Sequence, residues 1–235
     1  DVRTMTAYAD ASCPDDSGNG LSWATANKTL QAAVDICASN ATVWVTNGVY
    51  DAGSRVTPGY AALSRVCIGR AITVRSVNGP TVTTIVGAAG GNGSNDADAV
   101  RGAYMDSGAL VGFTITGGYT RADGDDLDQA GGGILASADG VVSNCVVIDN
   151  RAAQYGAGVY LSGGGTLRES TVRDNACIGS GNLRGGGVLF NQGGTAINCV
   201  IAANRADEGA GVRMYQGGVM RNCLVYDNVA AQYGG

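Results

Sequence analysis

A six-residue frame returns in the second half of the chain. It reads Val142-Ser143-Asn144-Cys145-Val146-Val147, Leu167-Arg168-Glu169-Ser170-Thr171-Val172, Ala196-Ile197-Asn198-Cys199-Val200-Ile201 and Met220-Arg221-Asn222-Cys223-Leu224-Val225. A second asparagine follows each copy (Asn150, Asn175, Asn204, Asn228), and then a glycine cluster. Gly133, Gly158, Gly187, Gly211 and Gly235 lie 25, 29, 24 and 24 residues apart. Self-similarity at this period marks a solenoid, in which each repeat buries its apolar face only against its neighbours. A repeated frame has a structural reason to exist in every copy, so no single copy reads as a catalytic motif.

The runs inside each repeat are short, β-branched and bounded by glycine, which predicts strands rather than helix pairs. About 24 residues suits one coil of a right-handed parallel β-helix, with coils stacked at the ordinary strand spacing of roughly 4.8 Å. The expected fold is therefore an all-β solenoid. Residues two apart on a strand share a face, which predicts five inward columns. These are Leu110, Val142, Leu167, Ala196, Met220; Phe113, Cys145, Ser170, Cys199, Cys223; Ile115, Val147, Val172, Ile201, Val225; Ile134, Val159, Val188, Val212; and Ala136, Leu161, Phe190, Met214. The outward neighbours Leu135, Tyr160, Leu189 and Arg213 follow no rule. The second asparagines form a column of their own, headed by Gly118. Asparagine tolerates left-handed backbone angles and its amide bonds to turn backbone, so these residues, with the preceding Asp149, Asp174 and Asp227, read as stacked turns.

Residues 1–50 differ. Leu30, Ala33, Val34 and Cys37 are spaced as on a helix over residues 25–39. A solenoid needs its open end covered, so this helix is expected to cap the first coil, with Trp23 and Trp44 as cap packing. Residues 51–235 form the coils, with clear repeats from about 109, in one continuous domain. Val43-Trp44-Val45 and Val49-Tyr50 are expected to open the first coil.

Composition removes several function classes. There is no histidine, and the only lysine among 15 basic residues is Lys28. The commonest general base and zinc ligand are thus missing. With a net charge of −5 and no basic run, nucleic acid is not an expected partner. No stretch reaches the roughly 18 apolar residues of a membrane span. A start at Asp1 without methionine permits a removed leader, and the fold type and composition give the expectation of an extracellular or cell-surface location. Of the seven cysteines, Cys145, Cys199 and Cys223 read as buried thiols of one column. A Cys13–Cys37 bridge is the candidate disulfide.

The stretches DSGNGLSWATANKTLQAAVD, TVWVTNGVYDAG, ITVRSVNGPTVTTIVG and LVGFTITGG resemble the opening of the right-handed parallel β-helix repeat proteins of bacteria. These sit in the broad pectate-lyase-like superfamily, among its cell-surface and secreted members. The resemblance covers essentially the whole chain. It implies the fold, and activities ranging from polysaccharide lyases and hydrolases to adhesins and surface-layer proteins. Lyases on this fold use calcium-binding carboxylates and an Arg or Lys base, which directs attention to Asp123, Asp125, Asp126 and Asp128 as calcium ligands, to Arg121 as base, and to Asp15, Asp16 and Asn19 as a weaker cation site. No other cofactor is expected.

The expected function is a non-enzymatic structural or adhesive surface module, with a polysaccharide lyase, another carbohydrate-active enzyme or a carbohydrate-binding module as alternatives and a glycan as candidate ligand. AAQYG at 230–234 duplicates 152–156, so Met220, Cys223, Val225 and Tyr233 lie at a coil edge. That edge is expected to meet further repeats of a longer array or a second subunit in a homo-oligomer or filament, with residues 1–12 as an exchangeable strand.

Overall fold

The computed structural model describes residues 3–137 and 139–235. The chain winds as a parallel β-helix whose strands stack into sheets of eight, seven, seven and four strands. One rung runs Val141–Ser143 in the first sheet, Val146–Ile148 in the second, Arg151–Ala152 in the fourth and Val159–Ser162 in the third. The next rung repeats it with Thr166–Arg168, Thr171–Arg173, Ala176–Cys177 and Val188–Asn191. Arg55–Val56 alone among the strands folds back antiparallel, on Leu63–Ile68.

The register produces the expected columns. Val142 pairs with Leu110 and Leu167, Val147 with Ile115 and Val172, and Ala136 with Leu161. These side chains are fully buried and belong to one continuous core. In the thiol column, Cys145 Sγ lies 3.2 Å from the Ser143 carbonyl and Cys199 Sγ 3.2 Å from that of Ile197. Ser170 makes the same bond to Arg168 at 2.7 Å. A short donor is what this bend needs, and either side chain supplies it.

The asparagine column is a buried amide ladder. Asn150 Nδ2 donates to Asn175 Oδ1 at 3.0 Å, Asn175 Nδ2 to Asn204 Oδ1 at 3.0 Å, and Asn204 Nδ2 to Asn228 Oδ1 at 2.9 Å. Gly118 N donates to Asn150 Oδ1 at the ladder's head. A Cβ on Gly158 would stand 2.6 Å from the Gly187 carbonyl and 2.9 Å from Asn175 Nδ2, so the neighbouring glycine column leaves room for the amides. The left-handed backbone falls one residue earlier than the ladder itself, at Asp149, Asp174, Ala203 and Asp227, and again at Asn144, Glu169, Asn198 and Asn222. The ladder asparagines point inward, where hydrogen bonding and not backbone tolerance selects the amide.

The N-terminal expectations need correction. The helix covers only Leu30–Asp35, capped by Thr29, whose hydroxyl accepts from Ala32 N. A separate turn occupies Trp23–Thr25, and Cys37 already belongs to the strand Cys37–Val45. Helical spacing at Cys37 is overridden because the chain there joins the sheet, pairing with Thr4. Leu30, Ala33 and Val34 do cover the end of the core. Residues 4–9 are not an exchangeable arm. Thr4–Ala9 is the edge strand of the chain's own first sheet, with Ala7 and Ala9 fully buried. Asp1 and Val2 lie outside the described residues. Cys13 and Cys37 are free thiols with no bridge between them, and Cys37 Sγ donates to Ala33 O.

In the last rung Met220 and Cys223 pack only partly against the core, while Val225 and Tyr233 are exposed. Among the described residues no helix is long and apolar enough to cross a membrane.

Candidate functional site

The outer face of the third sheet carries a second apolar layer. Register aligns Cys67, Tyr104, Leu135, Tyr160, Leu189 and Arg213 in one outward column. All but Arg213 are buried, so the column expected to vary freely in solvent is instead covered. The cover is an insertion between the strands Thr114–Thr116 and Ile134–Ser137, with Leu127 packed on the cluster alongside Tyr60 and Tyr155.

The acidic loop does not form the expected calcium site. Asp123 pairs with Arg121 at 2.7 Å. Asp128 is buried and accepts from Ala61 N and Ala62 N at 2.8 and 2.7 Å, and from Asp125 N at 3.2 Å. Asp126 is exposed and turned toward a cleft on the sheet. Among the described residues no group of three or more acidic or thiol ligands converges. Backbone amides, not a cation, neutralise Asp128. Asp16 and Asn19 are likewise committed to Thr29 and to Leu21 and Thr25. Arg121, held by Asp123, does not line the cleft.

Arg101 pins the insertion from below. It is fully buried, and its guanidinium donates to Leu127 O at 2.7 Å, Ala130 O at 3.0 Å and Thr57 Oγ1 at 3.3 Å. Burial lowers its pKa to about 10, which leaves it cationic at neutral pH. Arg101 and Asp128 thus fasten the insertion over residues 127–130, next to Asp126.

The cleft beside it encloses about 150 Å³. Three columns build it, one just ahead of the third-sheet strands and two on them. Tyr155, Arg184 and Glu208 are aligned by successive bridges at the strand entrances. Tyr160, Leu189 and Arg213 follow five residues later in each rung, and Asn191 pairs with Tyr215 two residues beyond. Gly156, Gly185 and Gly209 follow the entrance residues, each at positive φ. They turn the chain sharply there, in a conformation other side chains avoid. This places side chains from three rungs within one concave patch.

Its electrostatics are asymmetric. Glu208 Oε2 sits 3.3 Å from both Arg184 Nε and Arg213 Nη2, so one carboxylate serves two guanidinium groups. Nε of each arginine makes no hydrogen bond. Asp126 makes no ion pair among the described residues. Tyr160 Oη accepts from Asn191 Nδ2 at 2.7 Å. Burial, helped by Asp126, pushes the Tyr160 hydroxyl up to about 12, and the same two causes raise Tyr155. Both phenols are protonated at neutral pH and serve as donors. The patch offers aromatic faces, phenolic and amide donors, two part-exposed guanidinium groups and one free carboxylate. Such a set suits a polyhydroxylated ring bearing a negative charge.

Sequence alone presents Asp126 as a calcium ligand and Tyr160, Leu189 and Arg213 as outward residues that do not converge; the structure instead brings these four to one cleft, together with Tyr155, Arg184, Asn191 and Tyr215, which the repeats do not mark. The available signal was the outward column itself: Leu135, Tyr160 and Leu189 are apolar where a solvated face predicts polar residues.

No family model matches the chain, and no curated protein matches it. Among solved structures it is similar to a rhamnogalacturonan lyase, with a TM-score of 0.59 and 13% identity over 96% of this chain and 69% of that one. At that identity the likeness is one of fold, the parallel β-helix, and does not extend to the bacterial surface proteins in particular.

Proposed function

We propose that the chain is a carbohydrate-active β-helix that engages an acidic polysaccharide across the cleft lined by Tyr155, Tyr160, Arg184 and Arg213. The observation that carries this reading is the arginine pair sharing one carboxylate. Glu208 cannot saturate both guanidinium groups, and a guanidinium presents donors in a fork matched to a second carboxylate. The half-buried Tyr155 and the exposed Tyr215 supply ring faces beside it. This reading takes the place of a purely structural module. It sets the chain outside the cell or at its surface, where polymeric glycans are met.

Calorimetry with a uronate oligosaccharide and its carboxyl-reduced counterpart tests it. Wild-type protein is expected to prefer the uronate, and Arg213→Ala to weaken that binding about tenfold or more, the scale of one charge-assisted hydrogen bond. Equal affinity for both sugars, or for neither, removes the proposal.

Likeness to a rhamnogalacturonan lyase favours a bond-breaking version. In a β-elimination the proton on the carbon beside the uronate carboxylate passes to a base. The electron pair left behind forms a carbon–carbon double bond, and the glycosidic oxygen departs with a proton. Here the arginines would hold the carboxylate, Asp126 would take the first proton, and Tyr155 or Tyr160 would give the second. Ultraviolet absorbance of the unsaturated product reads the reaction directly. No absorbance gain, with binding intact, restricts the site to recognition.

A further inference from the structure

The chain's two tryptophans stand together on a different sheet from the cleft. Val43 and Val45 point into the core, and Trp44 between them is 37% exposed on the outer face of the first sheet. Strand register sets Trp44 beside Tyr8 on one side and Arg75 on the other. Trp23, 44% exposed, packs edge-on against Tyr8 with ring centroids 4.7 Å apart. The result is a row of Tyr8, Trp44 and Arg75 across successive strands, with Trp23 of the preceding turn packed against Tyr8 at its end. The sequence reading assigned both tryptophans to cap packing, yet the helix covers the core without them. An exposed large aromatic is the informative exception on a protein surface, and a pair of them more so.

The setting is not that of a buried protein interface. Beside the aromatic row runs a row of half-buried threonines, Thr6, Thr42 and Thr73, aligned by the same register. The strands of the first sheet hold no Asp or Glu, and Arg75, Arg168 and Arg221 are exposed along its outer face. Arg75 makes no ion pair among the described residues. A flat aromatic surface edged by hydroxyls and cations suits a saccharide. The C–H face of a sugar ring carries slight positive charge and rests on the negative face of an indole, hydroxyls exchange hydrogen bonds at the rim, and a guanidinium pairs with a carboxylate.

We propose that Trp23, Tyr8, Trp44 and Arg75 form a second saccharide-binding surface, separate from the third-sheet cleft and selective for acidic sugars. It rests on the carbohydrate reading for the class of ligand and on its own residues for the site. A long polysaccharide held at both places gains effective concentration at the cleft without any new contact there.

Because both tryptophans lie here and none lines the cleft, indole fluorescence reports this surface selectively. The experiment titrates wild type, Trp44→Ala, Arg75→Gln and the cleft variant Arg213→Ala with a uronate oligosaccharide, reading fluorescence and heat in parallel. The expected result is a saturable fluorescence change in wild type that survives in Arg213→Ala. In Trp44→Ala the residual signal from Trp23 should report an affinity lowered about tenfold, the scale of one aromatic contact. Arg75→Gln should lose the preference over the carboxyl-reduced sugar. Heat of binding without any fluorescence change overturns the second surface and leaves the cleft standing. Heat abolished by Arg213→Ala along with the fluorescence change assigns all binding to the cleft and equally overturns it. No heat with either sugar overturns both. Circular dichroism of each variant identifies loss of fold.

Discussion

Asn175 shows how much one buried side chain can hold. Its oxygen accepts from the backbone and side chain of Asn150, and its amide donates to Val147, Arg173 and Asn204. It has no solvent exposure, so removal leaves buried groups on two neighbouring rungs without partners. Asn175→Ala is expected to cost about 2–4 kcal/mol, from roughly 1–3 kcal/mol per orphaned group, read as a lowered urea midpoint. The buried thiols give a second outcome at this scale. Burial raises Cys145 and Cys199 to about 11 and Cys177 to about 12, from 9.0 in a solvated thiol. Above pH 9 the unfolded chain loses these protons while the folded chain keeps them. Stability is then fully present below pH 9 and falls as pH rises from 9 toward 11 or 12. Alkaline denaturation followed by circular dichroism is expected to show that decline, and Cys145→Ser, which copies Ser170, to reduce it.

At the scale of elements, strands and insertion were legible to different degrees. The columns through Val142, Val147 and Ala136 could be read because a period of two and a repeat near 24 residues both point to them. The insertion could not. Asp123, Asp125, Asp126 and Asp128 look alike as letters, and only tertiary contacts divide them into an ion pair, an exposed carboxylate and a buried acceptor for Ala61 and Ala62. Arg101 hides in a strand for the same reason, since its partner in the loop, Leu127, comes 26 residues later. The helix was overextended because Cys37 keeps helical spacing while its backbone has entered the first sheet. The anchoring at Asp128 has a measurable consequence. Asp128→Ala leaves three amides without an acceptor, two of them across the loop boundary. It is expected to lower stability by about 2–4 kcal/mol and to speed proteolysis between residues 119 and 130.

At the scale of the whole molecule, the solenoid separates its duties by face. The interior holds thiols, aliphatics and amides. The third sheet gathers tyrosines and arginines under a pinned loop, and the first sheet carries the tryptophans.

Within the asparagine ladder, each side chain meets only the asparagine before and the one after. Intervals of 25, 29 and 24 residues are bridged by the same bond, so loops between bonds can lengthen without the ladder noticing. A turn of the helix copied or excised whole, from one asparagine to the next, would leave every donor facing an acceptor. In such an architecture length is adjustable in single steps, and a lineage could lengthen or shorten its reach without redesigning its interior.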